Sequence, residues 1–415
     1  MQAPYTQYAP GALIVLVGEN PLPNYVAVRL LAGLATRVVF VYTAGTGEQK
    51  KRLIELLTRD GYDRANLTEC PINDSDPAAI RRVIEDSRRA WGQNLHINYT
   101  GGTKAMAVNV MLSLREPMPF SSYVDARTLS LWVEGPGVHS AARLAIGTQV
   151  PITVSHLLYM HGLAELVSPM RSRSILPVTT HALATIHASA ERRLPWQRWV
   201  KGHFRLEDKG TLRLRGKNQT EQLQNAAMLV ADLDPLVRSA LTRDIGDLTT
   251  YADIAAKRED DWPFAKTDEK LLMWLEGGWL EDYTLAQILA NLEASLLSDV
   301  QANINPKLPG NDNKFEFDVA CTIGHQLFAF SCTTAGKEHL KAKLLEAVVR
   351  ANQIGGAEAR VALVCCEEDK QVQRLRAQVG ELTDKNRLEV FGADHIPDLG
   401  RHIADWIHLN VREAV

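Results

Sequence analysis

The chain has 415 residues, 46% hydrophobic and 23% charged, with a formal net charge of −3. That length exceeds what one ordinary core organises, so two or three domains are expected. The mild acidity excludes constitutive, purely electrostatic binding of nucleic acid, which needs a basic domain. From residue 1 to 150, apolar strand-like runs (Ala12–Val17, Arg37–Thr43, Leu95–Tyr99, Ser121–Val124, Leu129–Glu134) alternate with stretches of helical spacing (Tyr25–Ala35, Glu48–Arg59, Pro77–Trp91, Lys104–Arg115). Such alternation predicts βαβ units and a parallel, doubly wound α/β sheet. Ligands of such sheets bind beyond the carboxyl ends of the strands. Three loops fall there: Gly18 to Asn24, Thr43 to Gly47, and Thr100 to Lys104.

Residues 151–267 read as a helical connecting region, with helices at Ser155–Leu163, His181–Arg192, Thr220–Ala231 and Pro235–Leu241. A hairpin is expected where His203–Leu206 turns through Glu207–Gly210 into Thr211–Leu214. It reads as a winged-helix-like module or as a solvated hairpin. Residues 268–415 are α/β again. One helix ends near Leu275, and a second covers Leu285–Leu297. Strands Lys314–Thr322 and Leu327–Cys332 precede the helix Lys337–Ile354, and the strand Arg360–Cys366 and helix Ile396–Leu409 follow it. No apolar run reaches the roughly 20 residues of a membrane span. Met1-Gln2-Ala3-Pro4-Tyr5 carries no signal pattern, and five cysteines (Cys70, Cys321, Cys332, Cys365, Cys366) sit in no zinc or disulfide spacing. A reduced, cytoplasmic protein is expected.

Thr100-Gly101-Gly102-Thr103-Lys104 has the makings of a phosphate site. Two glycines let the backbone approach a ligand closely, and the helix starting near Thr103 offers free N–H donors and its positive dipole end. It is neither a Walker loop nor a Gly-x-Gly-x-x-Gly turn. Taken alone, it reads equally well as a plain Gly-Gly turn with Thr103 as helix cap.

The Val-Gly-x-x-Pro-Leu-Pro-Asn loop at 17–24 and the Asn-Tyr-Thr-Gly-Gly-Thr-Lys-x-Met turn at 98–106 resemble those of the CARF domain, the Rossmann-like sensor of type III CRISPR ancillary proteins. Val124-Asp125, Leu157 to Gly162, and Leu275-Glu276-Gly277-Gly278-Trp279-Leu280-Glu281 extend the resemblance along the chain to a restriction-like (PD-(D/E)xK) nuclease domain. The resemblance implies a homodimer holding a cyclic oligoadenylate, most often cyclic tetra-adenylate, across its two-fold axis. It places Gly18, Glu19, Asn20, Asn24, Thr43, Thr100, Gly101, Gly102, Thr103 and Lys104 around the ligand, with Met106 at the border of the core. It also implies a nuclease site that uses Mg²⁺ or Mn²⁺ on DNA or RNA, with Glu281 and Asp318 as metal-binding carboxylates. Similar proteins carry Glu and Lys where this chain has Ser331 and Thr333, a departure at two catalytic positions. Three readings stay open. In one, the site no longer cuts and the protein only binds or regulates. In another, Glu316 and one of Lys337, Lys341 or Lys343 restore the missing groups. In the last, the domain is a plain α/β scaffold in which Asp318 is only a strand-end carboxylate. A separate alternative for function is that the sensor domain itself opens the cyclic ligand.

Overall fold

Runs with no polar face become the central strands, since a parallel sheet is covered on both sides. β1 (Ala12–Leu16) is buried along its whole length, and β2 (Arg37–Tyr42) and β4 (Leu95–Asn98) lie beside it. The computed structural model describes residues 3–9, 11–73, 76–113, 118–137, 141–206, 212–214, 232–246, 273–307, 316–380 and 387–412. Among these, a seven-stranded sheet has the order β3-β2-β1-β4-β5-β6-β7. β3 (Leu67–Pro71) and β5 (Phe120–Asp125) pair in parallel, and β6 (Ser130–Glu134) and β7 (Ala142–Ala145) antiparallel. Crossover helices α1 (Leu22–Leu31) and α2 (Gly47–Arg59) pack Val28, Leu53 and Leu57 on one face of this sheet. On the other face, α3 (Pro77–Trp91) and α4 (Lys104–Ser113) pack Ile80, Ile84, Met106 and Val110 against Ile14, Leu16 and Ile97. Strand order reverses between β1 and β4, and that reversal opens a crevice at the carboxyl edge.

The expected helix His181–Arg192 is two helices, α6 (Pro177–His187) and α7 (Ala190–His203), because the Ser189 side chain accepts from Arg192 N and caps the second. The expected hairpin pairs β8 (Phe204–Leu206) with β9 (Leu212–Leu214). Its turn, and the expected helix Thr220–Ala231, lie outside the described residues. α5 (Val154–Met160) precedes these elements and α8 (Pro235–Ile245) follows them. Among the described residues of this connecting region there is no separate core. Leu157 and Leu158 of α5 join the cluster of the first sheet, while Leu183, Trp196, Val237 and Leu241 pack on a second sheet.

That second sheet has the order β10-β11-β12-β13-β14. β10 (Leu297–Ile304), β11 (Phe317–Ile323) and β12 (Gln326–Thr333) are antiparallel, and β13 (Arg360–Cys365) and β14 (Leu388–Phe391) continue in parallel. One face carries α10 (Lys337–Gly355) and α11 (Asp369–Gly380), and the other α9 (Trp279–Asn291) and α12 (Leu399–Arg412). The helix expected to end near Leu275 does not stop there. A wide helical turn, Trp274–Gly278, runs straight into α9, and Leu297 opens β10 rather than closing a helix.

The two sheets are joined closely. Leu13 and Leu57 belong to the same buried cluster as Leu340 and Ile354 of α10, with α5 among them. The β11–β12 hairpin tip rests on the first sheet's carboxyl edge: Gln326 Nε2 donates to the Ala126 carbonyl (3.1 Å), and Ile152 N to Gly324 O (2.9 Å).

Candidate functional site

At the strand-order reversal lies a cleft of about 700 Å³, lined in part by Gly18, Glu19, Thr43, Gly102, Thr103 and Met106. Two helix N-termini meet there. α4 is capped by Thr103, whose Oγ1 accepts from Met106 N (3.2 Å), while the Thr103 N–H finds only the Met106 sulfur (3.4 Å). Sulfur is a weak acceptor, so that N–H has much to gain from an anion. α2 follows a turn, Ala44–Thr46, held by reciprocal bonds between Thr43 and Thr46. Among the lining residues the only charged one is Glu19. Recognition of an anion therefore falls to backbone N–H groups and helix dipoles, and Glu19 suits a donor such as a ribose hydroxyl or a base amine.

Five of the ten expected ligand residues line the cleft: Gly18, Glu19, Thr43, Gly102 and Thr103. The other five do not. Asn24 is fully buried and donates from Nδ2 to the Leu16 carbonyl (2.7 Å) at the end of β1. Thr100 Oγ1 accepts from Val124 N (2.7 Å) and so ties the turn to β5. Gly101 is packed on β1, where a Cβ would stand 2.1 Å from Leu16 O. Lys104 is exposed on the first turn of α4. Asn20 Oδ1 accepts from Leu22 N (3.1 Å), and its Nδ2 lies against Gly356 at the end of α10. The cleft also gains Ile72 and Asn73 from the end of β3. Sequence reasoning missed both, because β3 has no continuous apolar run.

The second site is built at the end of β12. The side chain of Asp318 on β11 accepts from Cys332 N (2.5 Å) and Ser331 Oγ (3.2 Å). Glu281 projects from the first turn of α9, which is anchored beside the strand end by the Thr334 hydroxyl donating to Glu276 O (3.1 Å). Burial and then the charges of Asp318 and Glu316 push the Glu281 carboxyl well above the ordinary carboxylate range. Burial also pushes Asp318 up, while Lys343, Cys332 N–H and Ser331 pull it down. Two buried carboxyls that disfavour each other's charge fit a divalent cation, which takes one or two carboxylates and completes its shell with water. No group of three His, Cys, Asp or Glu side chains placed to hold a metal occurs among the described residues.

Of the three lysines that the sequence leaves open, Lys343 is the one whose charge acts on both Glu281 and Asp318. At about 100° per residue, the buried stripe of Leu340, Leu344 and Ala347 puts Lys337 and Lys343 on its opposite flanks. Thr333 is buried, and its hydroxyl accepts from Ala335 N (3.1 Å), closing the strand end. Glu316 is exposed at the entry to β11 and contributes charge to Glu281.

Folding brings the two carboxyls together at a cost that grows as pH rises. Both keep their protons in the folded chain at a pH where the unfolded chain has lost them, so stability falls through that window. Without metal and near neutral pH, Glu281→Gln is expected to raise the melting temperature by about 2 °C. A lower melting temperature would mean that the pair does not repel.

Fold and sites together define a Rossmann-type sensor layer joined to a restriction-like nuclease layer. Residues 12–123 match the family described as the Card1 CARF domain, and residues 268–410 the Card1-like endonuclease domain. The chain carries both domains of that architecture. Similar solved structures are protein VC1899 from Vibrio cholerae (17% identity, TM-score 0.64, covering 97% of this chain and 98% of that one) and Can2 from Sulfobacillus thermosulfidooxidans in complex with cyclic tetra-adenylate. The second match has 17% identity and a TM-score of 0.64, and covers 96% of this chain and 99% of that one. No curated protein sequence matches. No described helix is long and apolar enough to cross a membrane.

Proposed function

We propose that this protein is a homodimeric cyclic-oligoadenylate sensor of type III CRISPR defence whose ligand switches on a metal-dependent nuclease. The observation that carries this is the cleft, where the N-termini of α2 and α4 converge without a side-chain cation. Two such cradles per chain make four in a two-fold dimer, one for each phosphate of cyclic tetra-adenylate, and a symmetric ring suits an isologous interface. α4 also supports dimerisation. Its outer face exposes Val108 (56%), Met111 (40%) and Leu112 (63%), more apolar surface than a lone helix face usually shows to water. Leu112→Glu is expected to convert dimer to monomer in light scattering; an unchanged mass would place the interface elsewhere.

In the nuclease domain, Glu281 and Asp318 would hold Mg²⁺ or Mn²⁺, and such an ion polarises a phosphodiester and activates water. Ser331 fixes the Asp318 carboxylate by donating to it. Lys343 supplies the positive charge that Thr333 lacks, favouring the extra negative charge of the transition state. The reading is tested by incubating the protein with Mn²⁺ and plasmid or single-stranded nucleic acid, with and without cyclic tetra-adenylate, beside an Asp318→Ala control. Ligand-dependent cleavage that the control lacks is the expected result. Silence in the presence of bound ligand would leave a binding or regulatory protein, and loss of the ring itself would indicate a ring nuclease.

A further inference from the structure

Glu19 and Asn20 are adjacent, yet they serve different halves of the molecule. Glu19 lines the ligand cleft, whereas the Asn20 amide lies against Gly356. The fit is close: a Cβ on Gly356 would come 2.4 Å from Asn20 Nδ2. Asn20 is also held from behind, since its Oδ1 caps Leu22 N at the start of α1. Gly356 is the residue that ends α10, with φ +73°, and its N–H donates to the Asn352 carbonyl. α10 is 19 residues long. Lys343 stands twelve residues before Gly355, about 18 Å along the axis at 1.5 Å per residue. A packed helix moves as a rigid rod, so a push at its last turn is felt at Lys343. Leu340, Leu344, Ala347, Ala351 and Ile354 bury one stripe of α10, which leaves sliding or rolling on that stripe as its available motion.

We infer that Asn20 is a positioning residue: an occupied cleft moves the Glu19–Asn20 step, Asn20 bears on Gly356, and α10 shifts Lys343 relative to Glu281 and Asp318. This rests on the sensor–nuclease reading and adds to it the contact that passes the signal within one chain. It also explains why an amide in the ligand loop makes no contact with the cleft.

The test pairs hydrogen exchange with calorimetry on the full chain. In the unmutated protein, cyclic tetra-adenylate is expected to change amide exchange at residues 352–356 by at least threefold. An unchanged rate with ligand bound would overturn the inference. Asn20→Ser keeps an oxygen able to cap Leu22 but withdraws the amide from Gly356. It is expected to bind cyclic tetra-adenylate within twofold of the unmutated affinity, to lose the exchange response at 352–356, and to lose at least tenfold of ligand-stimulated cleavage. A tenfold loss of affinity would make Asn20 a ligand contact, and a retained exchange response would route the signal elsewhere. Either result overturns the inference. If the unmutated chain binds no ring at all, calorimetry shows that directly, and the sensor reading falls first.

Discussion

Gly101→Ala is expected to lower the melting temperature by about 10 °C or more, the largest effect of any single methyl group in the sensor domain. A Cβ at 101 would sit 2.1 Å from the Leu16 carbonyl and 2.8–2.9 Å from both polar atoms of the Asn24 amide. None of these can retreat. Leu16 ends a fully buried central strand, and Asn24 is buried in the first turn of α1 while donating to that same carbonyl. Relief would require breaking a buried hydrogen bond and moving β1, a combination that costs more than about 4 kcal/mol. Gly45→Ala is the matched control in the neighbouring loop, since its Cβ would meet only Thr43 Oγ1, at 3.8 Å. Its melting temperature should stay within about 2 °C of the unmutated protein. If Gly101→Ala melts like that control, the turn is not packed on β1 as described.

Lys343→Ala is expected to cut ligand-stimulated nuclease turnover by about 10²–10³-fold, the range seen when one preorganised electrostatic contact to a transition state is removed. The same substitution at Lys337, on the other flank of the buried stripe, should leave turnover within about twofold. A pH signature separates electrostatics from structural damage. Lys343 draws the Asp318 and Glu281 carboxyls down against the burial that raises them. Without it both hold their protons to higher pH, so the acid limb of the rate profile moves in the alkaline direction. A uniform loss of rate with an unmoved acid limb would assign Lys343 to packing. An active Lys343→Ala protein would show that the missing lysine is replaced by another group.

The sequence made the centre of each sheet legible and its edges much less so. Ala12–Leu16 and Arg360–Cys365 are buried throughout, so each reads as one unbroken apolar run. β3 and β10 lie at sheet edges, and their alternate residues meet solvent or polar neighbours. β10 also has a register shift near Leu297, so its pattern fits neither period cleanly and its start was read as the end of a helix. The same division runs through the sites. Glu281 and Asp318 enter only through the resemblance, which implies a carboxylate on a helix and another on a following strand. The choice among Lys337, Lys341 and Lys343 was not legible, because it depends on the rotation of α10, which Leu340 and Leu344 set by packing. Asn20 and Asn24 look alike in sequence, four residues apart in one polar loop. One caps a helix and faces Gly356, while the other is buried under Gly101. Only the partner decides their roles, and Gly356 is more than 300 residues away in sequence.

On the proposed reading, the cleft between the N-termini of α2 and α4 is half of a two-fold site for a cyclic nucleotide. Calorimetric titration of cyclic tetra-adenylate into the purified protein tests it most directly, with mass measured before and after saturation. Saturation is expected at one ring per two chains, with no heat from linear tetra-adenylate, which lacks the ring's symmetry. Saturation at one ring per chain, or no binding at all, would contradict it.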